Sequence, residues 1–221
     1  MAAARADVAL TASPADAASV AEGPLAHVHE HREIAAADVR IIRRLLGSGP
    51  LRVLDIGAGR GVFVDEARAA GFDVLATDLE PAAARVWSAR GVRGVVADAF
   101  APPFRGTPFD VVRLKEVIEH VEDPRALVVA SASILRPGGY LIAHVPSPFS
   151  QFYPAGNFWD DYTHVRPFSR HGLMRLMEDS GLRAASIDAY VAGRNPIERV
   201  LGLVLRRLLP HTYRVVARKP A

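Results

Sequence analysis

Residues 51–67 read LRVLDIGAGRGVFVDEA. Arg52–Ile56 is a short apolar run of strand length, and it passes directly into glycine at every second position, Gly57, Gly59 and Gly61. Residues 62–70 then carry helical spacing, stopped by Gly71. In a loop of this kind a backbone without Cβ atoms takes positive φ and lies directly against a ligand, while the helix that starts near Gly61 aims free amides at it. The spacing is G-x-G-x-G. The dinucleotide fingerprint G-x-G-x-x-G would need glycine where Val62 stands, and no G-x-x-x-x-G-K-[ST] phosphate loop occurs.

The same alternation continues outward from this unit. Upstream, residues 25–46 have helical spacing, with Ile34, Val39, Ile41, Ile42, Leu45 and Leu46 gathered against Arg40, Arg43 and Arg44. Downstream, strands are expected at 73–77, 94–97, 109–114 and 140–145, with helices at 81–90 and from the fourth strand to Arg136. Strands and helices at this beat make parallel β-α-β units, a doubly wound α/β sheet covered on both faces. After Val145 the beat loosens. Residues 146–168 hold four prolines, with the aromatics Phe149, Phe152, Tyr153, Phe158 and Trp159, and a loop of this length in a compact domain usually serves function. A helix at 169–180 capped by Ser169 and strands at 184–190 and 212–217 follow. Residues 196–209 form an amphipathic helix edged by arginine, a composition that suits core packing, a homodimer contact or an anionic membrane surface.

Composition excludes several classes. The 221 residues contain no cysteine, which removes disulfides, thiol nucleophiles and Cys-ligated zinc. Half the side chains are hydrophobic, enough for one sizeable core, and the net charge is only +3. No run approaches the roughly 18 continuous apolar residues of a membrane-spanning helix. Residues 1–24, rich in alanine but broken by Asp7, Pro14 and Asp16, read as a flexible leader rather than a secretory signal. The expected organisation is one domain over 25–221 with a cytoplasmic address.

Two acids accompany the glycine loop. Asp78 stands just past the second strand, where a carboxylate can accept both hydroxyls of a ribose, and Asp98 stands past the third, beside Ala99 and Phe100, where it can accept from an exocyclic amine. With Asp55 they fall at the carboxyl ends of adjacent parallel strands, where open α/β sheets bind ligands. Each alone is also an ordinary helix cap; three beside one glycine loop point to a nucleoside.

VLDIGAGRG, ATDLEP, VVADAF, FDVVRLKEVIEHVEDP and LRPGGYLIAHVP, in this order, resemble the class I S-adenosylmethionine-dependent methyltransferases over about residues 50–190. The resemblance implies a Rossmann-like seven-stranded sheet, mostly parallel, whose last strand is antiparallel. It also implies roles by position. Asp55, Gly57, Ala58, Gly59 and Gly61 would face the methionine end of S-adenosylmethionine, Asp78 the ribose, and Leu79 the adenine. Asp98 and Ala99 would read the adenine edge, beside Phe100, while Leu114 and Lys115 would border the cofactor.

Glu116, Glu119 and His120 would share one face if residues 116–121 are helical, and two carboxylates with an imidazole suit a divalent cation such as Mg²⁺, Mn²⁺ or Zn²⁺. The Glu-x-x-Glu-His pattern is similar to that of ubiquinone-pathway O-methyltransferases and of 2′-O-methyltransferases acting on small RNA. In those relatives it holds a metal, aided by a later histidine for which His164 of WDDYTHVRPFS is the candidate. A metal-free reading makes His120 and His164 general bases for a hydroxyl. His27, His29 and His31 read as a solvated helix start rather than a metal site, on a helix that can fold over the cofactor. The leading expectation is O-methylation of a small-molecule, sugar or lipid-linked acceptor. The alternatives are small-RNA methylation, disfavoured because no aromatic and basic RNA platform is visible, and a cofactor-binding protein without catalysis.

Overall fold

The computed structural model describes residues 25–104, 108–152, 157–190 and 209–221, with side chains from His31 onward. The expected leader, Tyr153, and the expected helix at 196–209, apart from Leu209, lie outside the described residues.

Helix α1 (Leu25–Leu46) precedes strand β1 (Arg52–Ile56), helix α2 (Val62–Ala69), strand β2 (Asp73–Asp78), helix α3 (Pro81–Ser88) and strand β3 (Gly94–Val96). Strand β4 (Phe109–Lys115), helix α4 (Pro124–Ser133), strand β5 (Leu135–Pro146), helix α5 (Arg170–Asp179) and strands β6 (Arg183–Tyr190) and β7 (Thr212–Arg218) complete the order. All seven strands join one sheet ordered β3-β2-β1-β4-β5-β7-β6. The first five are parallel, and β7 runs antiparallel between β5 and β6. This is the Rossmann-like sheet with an antiparallel last strand. Strand order reverses between β1 and β4, so a crevice opens above their carboxyl ends.

Period-two alternation sorts the strand residues into two cores. Val53, Val111, Ile142 and Val216 pack with Val39 and Ile42 of α1, Phe63 and Val64 of α2 and Trp87 of α3. Leu54, Ile56, Val112, Leu114 and Leu141 face the other way, onto Leu127 and Val128 of α4 and Leu173 and Met177 of α5. Burying a large aliphatic side chain contributes about 1.5–3 kcal/mol, so the two layers hold the strand tips rigidly. Ser169 caps α5 by accepting from Gly172 N at 3.1 Å. No described helix is long and apolar enough to cross a membrane.

The segment after β4 departs from expectation. Residues 116–121 are not an α-helix. Glu116 takes φ +56°, and only a 3₁₀ turn, Ile118–His120, follows before α4 starts at Pro124. Pro124 disfavours helical backbone at Asp123, and Asp123 instead caps the new helix, accepting from Ala126 N at 2.8 Å.

Candidate active site

The loop after β1 is fastened at both ends. Gly57 N and Ala58 N both donate to Thr77 O of β2, at 2.8 and 3.0 Å, and Trp87 Nε1 donates to Gly59 O at 2.8 Å. Gly57 (φ +71°) lies so close to Val117 that a Cβ there would collide with its side chain, whereas a Cβ on Gly59 (φ +48°) would meet nothing within 4 Å. One glycine permits a close approach; the other leaves bare backbone facing open space. Gly57→Ala is expected to cost about 2 kcal/mol and lower Tm by roughly 4–8 °C in a thermal melt, from strain at positive φ plus the collision. An unchanged Tm would contradict that packing.

A cavity of about 290 Å³ lies beside this loop, with His31, Asp55, Arg60, Arg113, Lys115 and Glu116 as its charged lining. Both signs suit the amino-acid end of a zwitterionic ligand: acids for an ammonium or sulfonium, cations for a carboxylate. Lys115 Nζ pairs with Glu116 at 2.6 Å. The Lys115 ammonium beside it holds the Glu116 carboxyl down at about 2. His31 of α1 is partly exposed and lines the cavity, on the helix expected to be able to fold over the cofactor. The side chains of His27 and His29 lie outside the described residues.

The other strand tips carry the remaining predicted groups. Asp78 Oδ2 accepts from Gly59 N at 2.8 Å and Oδ1 from Glu80 N at 3.0 Å. Ala97 N donates to Asp78 O at 3.0 Å and joins the neighbouring tip, where Asp98 Oδ1 accepts from Phe100 N at 2.9 Å. Leu79 (68% exposed) and Phe100 (40%) leave apolar surface uncovered beside these two acids, and Ala99 is half-buried. Leu114 needs correction. Its side chain is fully buried on the opposite face of the sheet from Arg113 and Lys115, as strand alternation requires, and it does not reach the cavity.

Glu119, His120 and His164 come together: one ligand atom from each lies within 4.8 Å of the others. Glu116 is not in that group, because the chain leaves β4 through positive φ instead of a helix. Val165 N donates to Glu119 O at 2.8 Å and stitches the long loop onto the 3₁₀ turn. The Glu119 carboxyl is fully buried, and neither oxygen has a hydrogen-bond partner among the described residues. Burial pushes it up to about 8, with Glu116 and Asp161 adding to the rise. A buried carboxyl without a donor is costly unless a ligand completes it.

The two imidazoles are oriented by their neighbours. His164 Nδ1 donates to Phe158 O at 2.6 Å, and the ring stacks on Phe158 with centroids 4.4 Å apart. Thr163 Oγ1 gives its one proton to Asp161 at 2.6 Å, so it accepts from His120 Nδ1 at 2.8 Å. In each ring Nδ1 is thus engaged as a donor, which leaves Nε2 as the nitrogen that can turn toward a metal or a proton. Burial lowers the pKa of His120, and His164 lowers it further, which favours the neutral form. This donor set, a buried carboxyl beside two imidazoles whose rings lie 4.6 Å apart, fits a divalent cation. The aromatic loop is only partly a roof. Phe158 is buried under His164, while Trp159 and Tyr162 are exposed.

A buried charge network escaped the sequence reading. Arg113 bridges Asp55 and Asp38, and His144, Tyr190 and Arg214 extend the chain across the sheet. Burial alone would raise Asp38, yet His144 and Arg113 hold it well below the usual carboxylate range; burial wins at Asp55 and lifts it. Asp55 is thus tied to Arg113 on one side while lining the cavity on the other. The available signals were an arginine amid the apolar FDVVRLK and an aspartate beside Val39 on the apolar side of α1.

A family model described as a methyltransferase domain matches residues 27–187. The ubiquinone biosynthesis O-methyltransferase of Aromatoleum aromaticum is 39% identical over 184 residues, covering 73% of this chain and 76% of that protein. That of Ralstonia nicotianae is 35% identical over 156 residues, covering 66% of this chain and 64% of its own. Several other curated relatives are matched over about half their length or less. A solved S-adenosylmethionine-dependent methyltransferase from Archaeoglobus fulgidus shares the fold, with a TM-score of 0.66, 23% identity, and 85% of this chain and 94% of that one covered. The chain belongs to the methyltransferase-domain family, within class I of the S-adenosylmethionine-dependent methyltransferases.

Proposed function

We propose that the protein transfers the methyl group of S-adenosylmethionine to a hydroxyl of a small-molecule or glycan acceptor, aided by a divalent cation held by Glu119, His120 and His164. The observation that carries the cation is the buried Glu119 carboxyl, which has no hydrogen-bond partner among the described residues, beside two imidazoles. The methionine end of the cofactor occupies the cavity beside Gly57–Gly61, with Lys115 and Glu116 at its border. The ribose lies on Asp78, and the adenine lies between Leu79 and Phe100 with Asp98 and Ala99 at its edge. The name of the two relatives, an O-methyltransferase of ubiquinone biosynthesis, favours an oxygen nucleophile.

Methyl transfer from a sulfonium is an in-line displacement, so this chain's residues mainly position two reactants and exclude water. When bound, the cation supplies Lewis acidity that makes the acceptor hydroxyl easier to deprotonate. Phe158 O and Thr163 Oγ1 hold the imidazoles in the ligating tautomer, and Trp159 and Tyr162 offer ring faces to the acceptor. Two imidazoles and one carboxylate suit Zn²⁺ or Mn²⁺ better than Mg²⁺, which prefers all-oxygen coordination.

Chelation tests the cation. Turnover of a hydroxylated acceptor with labelled cofactor is expected to fall at least about a hundred-fold. It should return with Mn²⁺ or Zn²⁺, while S-adenosylhomocysteine affinity stays within about two-fold throughout. Turnover that survives thorough chelation would overturn the cation and leave His120 as a metal-free general base.

A further inference from the structure

Arg113 stands in the middle of β4, in register with Asp55 of β1. Its Nη1–H donates to Asp55 Oδ1 at 3.0 Å and its Nε–H to Asp38 Oδ2 at 2.8 Å, and its guanidinium lies 4.4 Å over the Phe63 ring. Asp38 is fully buried on α1. The same carboxylate accepts from His144 Nε2 at 2.9 Å and from Arg214 Nη1 at 3.4 Å, and His144 Nδ1 accepts from the Tyr190 hydroxyl at 3.0 Å. One carboxylate on the N-terminal helix is therefore joined through one guanidinium to the acid at the tip of the glycine-loop strand.

Buried ion pairs of this kind rarely exceed well-packed apolar residues in stability, because desolvation offsets the attraction. What they supply is orientation. Arg113 has a planar fork, and one arm is set by Asp38, so the other arm anchors one oxygen of the Asp55 carboxyl. Asp55 and Arg113 both line the cavity, as does His31 from the same helix as Asp38. Docking of α1 and the geometry of the methionine pocket thus share one set of contacts.

We infer that Asp38 and Arg113 are positioning residues that act through Asp55, holding its carboxyl for the ammonium of the cofactor's amino-acid end and making that end's binding depend on the docked α1. The inference rests on the cofactor placement given under Proposed function.

Two ligands separate this role from a merely structural one. S-adenosylhomocysteine carries the amino-acid end; 5′-methylthioadenosine keeps the nucleoside and thioether but lacks it. Calorimetry on the full chain, at a temperature where circular dichroism shows each variant folded, is expected to give about ten-fold weaker S-adenosylhomocysteine binding in Asp38→Asn. Binding of 5′-methylthioadenosine should change by less than about two-fold. Arg113→Lys, which keeps the charge but loses the fork, should show the same selective loss, and it serves alone where Asp38→Asn fails to fold. Equal weakening of both ligands would assign the network to general stability and overturn the inference. Unchanged S-adenosylhomocysteine affinity would overturn it as well. If the unmutated protein binds neither nucleoside, the cofactor placement itself falls, and this inference with it.

Discussion

Glu119→Met is expected to abolish turnover while making the metal-free protein more stable. Both Glu119 oxygens are buried without hydrogen-bond partners among the described residues, so the metal-free protein bears a desolvation penalty there. An apolar side chain of similar shape removes that penalty, which should raise stability by about 1–2 kcal/mol. In a chain of this size that is a Tm increase of roughly 2–8 °C in the presence of chelator. Turnover with added cation should fall by about a hundred-fold or more, because the carboxylate ligand is gone. Thermal melts and acceptor assays on the same preparation read both effects. If the substitution lowers Tm and leaves turnover intact, Glu119 is an ordinary core residue and the cation reading is wrong.

Asp78→Ala is expected to weaken cofactor binding by about a hundred-fold or more, since hydrogen bonds to a charged group contribute about 1.5–3 kcal/mol each. In this structure the carboxylate also accepts from Gly59 N and Glu80 N, so its removal loosens the glycine loop too. Asp78→Asn separates the two effects, because its amide oxygen can still hold Gly59 while only one acceptor atom remains. 5′-Methylthioadenosine carries the ribose, so its affinity should fall alongside that of S-adenosylhomocysteine. That differs from the selective loss of S-adenosylhomocysteine expected for Asp38 and Arg113. Unchanged calorimetric affinity for both ligands would remove Asp78 from the ribose.

The sheet and its crevice were legible because local signals agreed with the global fold at every level. Apolar runs of strand length, glycines after α1, α2, α3 and α5, and Ser169 before α5 each announce an element without help from the rest of the chain. The segment after β4 was not legible in the same way. Glu116 to Val121 has helical spacing, yet positive φ at Glu116 and the restart at Asp123-Pro124 leave only a 3₁₀ turn. That outcome is set by packing against Gly57 and the long loop, which no window of sequence contains. The meeting of Glu119 with His164 is likewise a contact across 45 residues. The Asp38–Arg113–Asp55 network was hidden for the same reason: three charged residues on three separate elements look like surface residues until the sheet brings them together.

The last strand has a consequence for how the chain is made. β7 supplies the described partner of β6 and covers the flank of β5, yet it comes after both of them in the chain and is the last of the described elements. While the ribosome is still releasing residues after Tyr190, β5 ends the nascent sheet with an unpaired row of amides and carbonyls, a template for pairing with another chain. Closure waits for residues 212–218 to arrive and slide between two strands already synthesised. Until then the flank of β5 is an edge open to pairing with another chain.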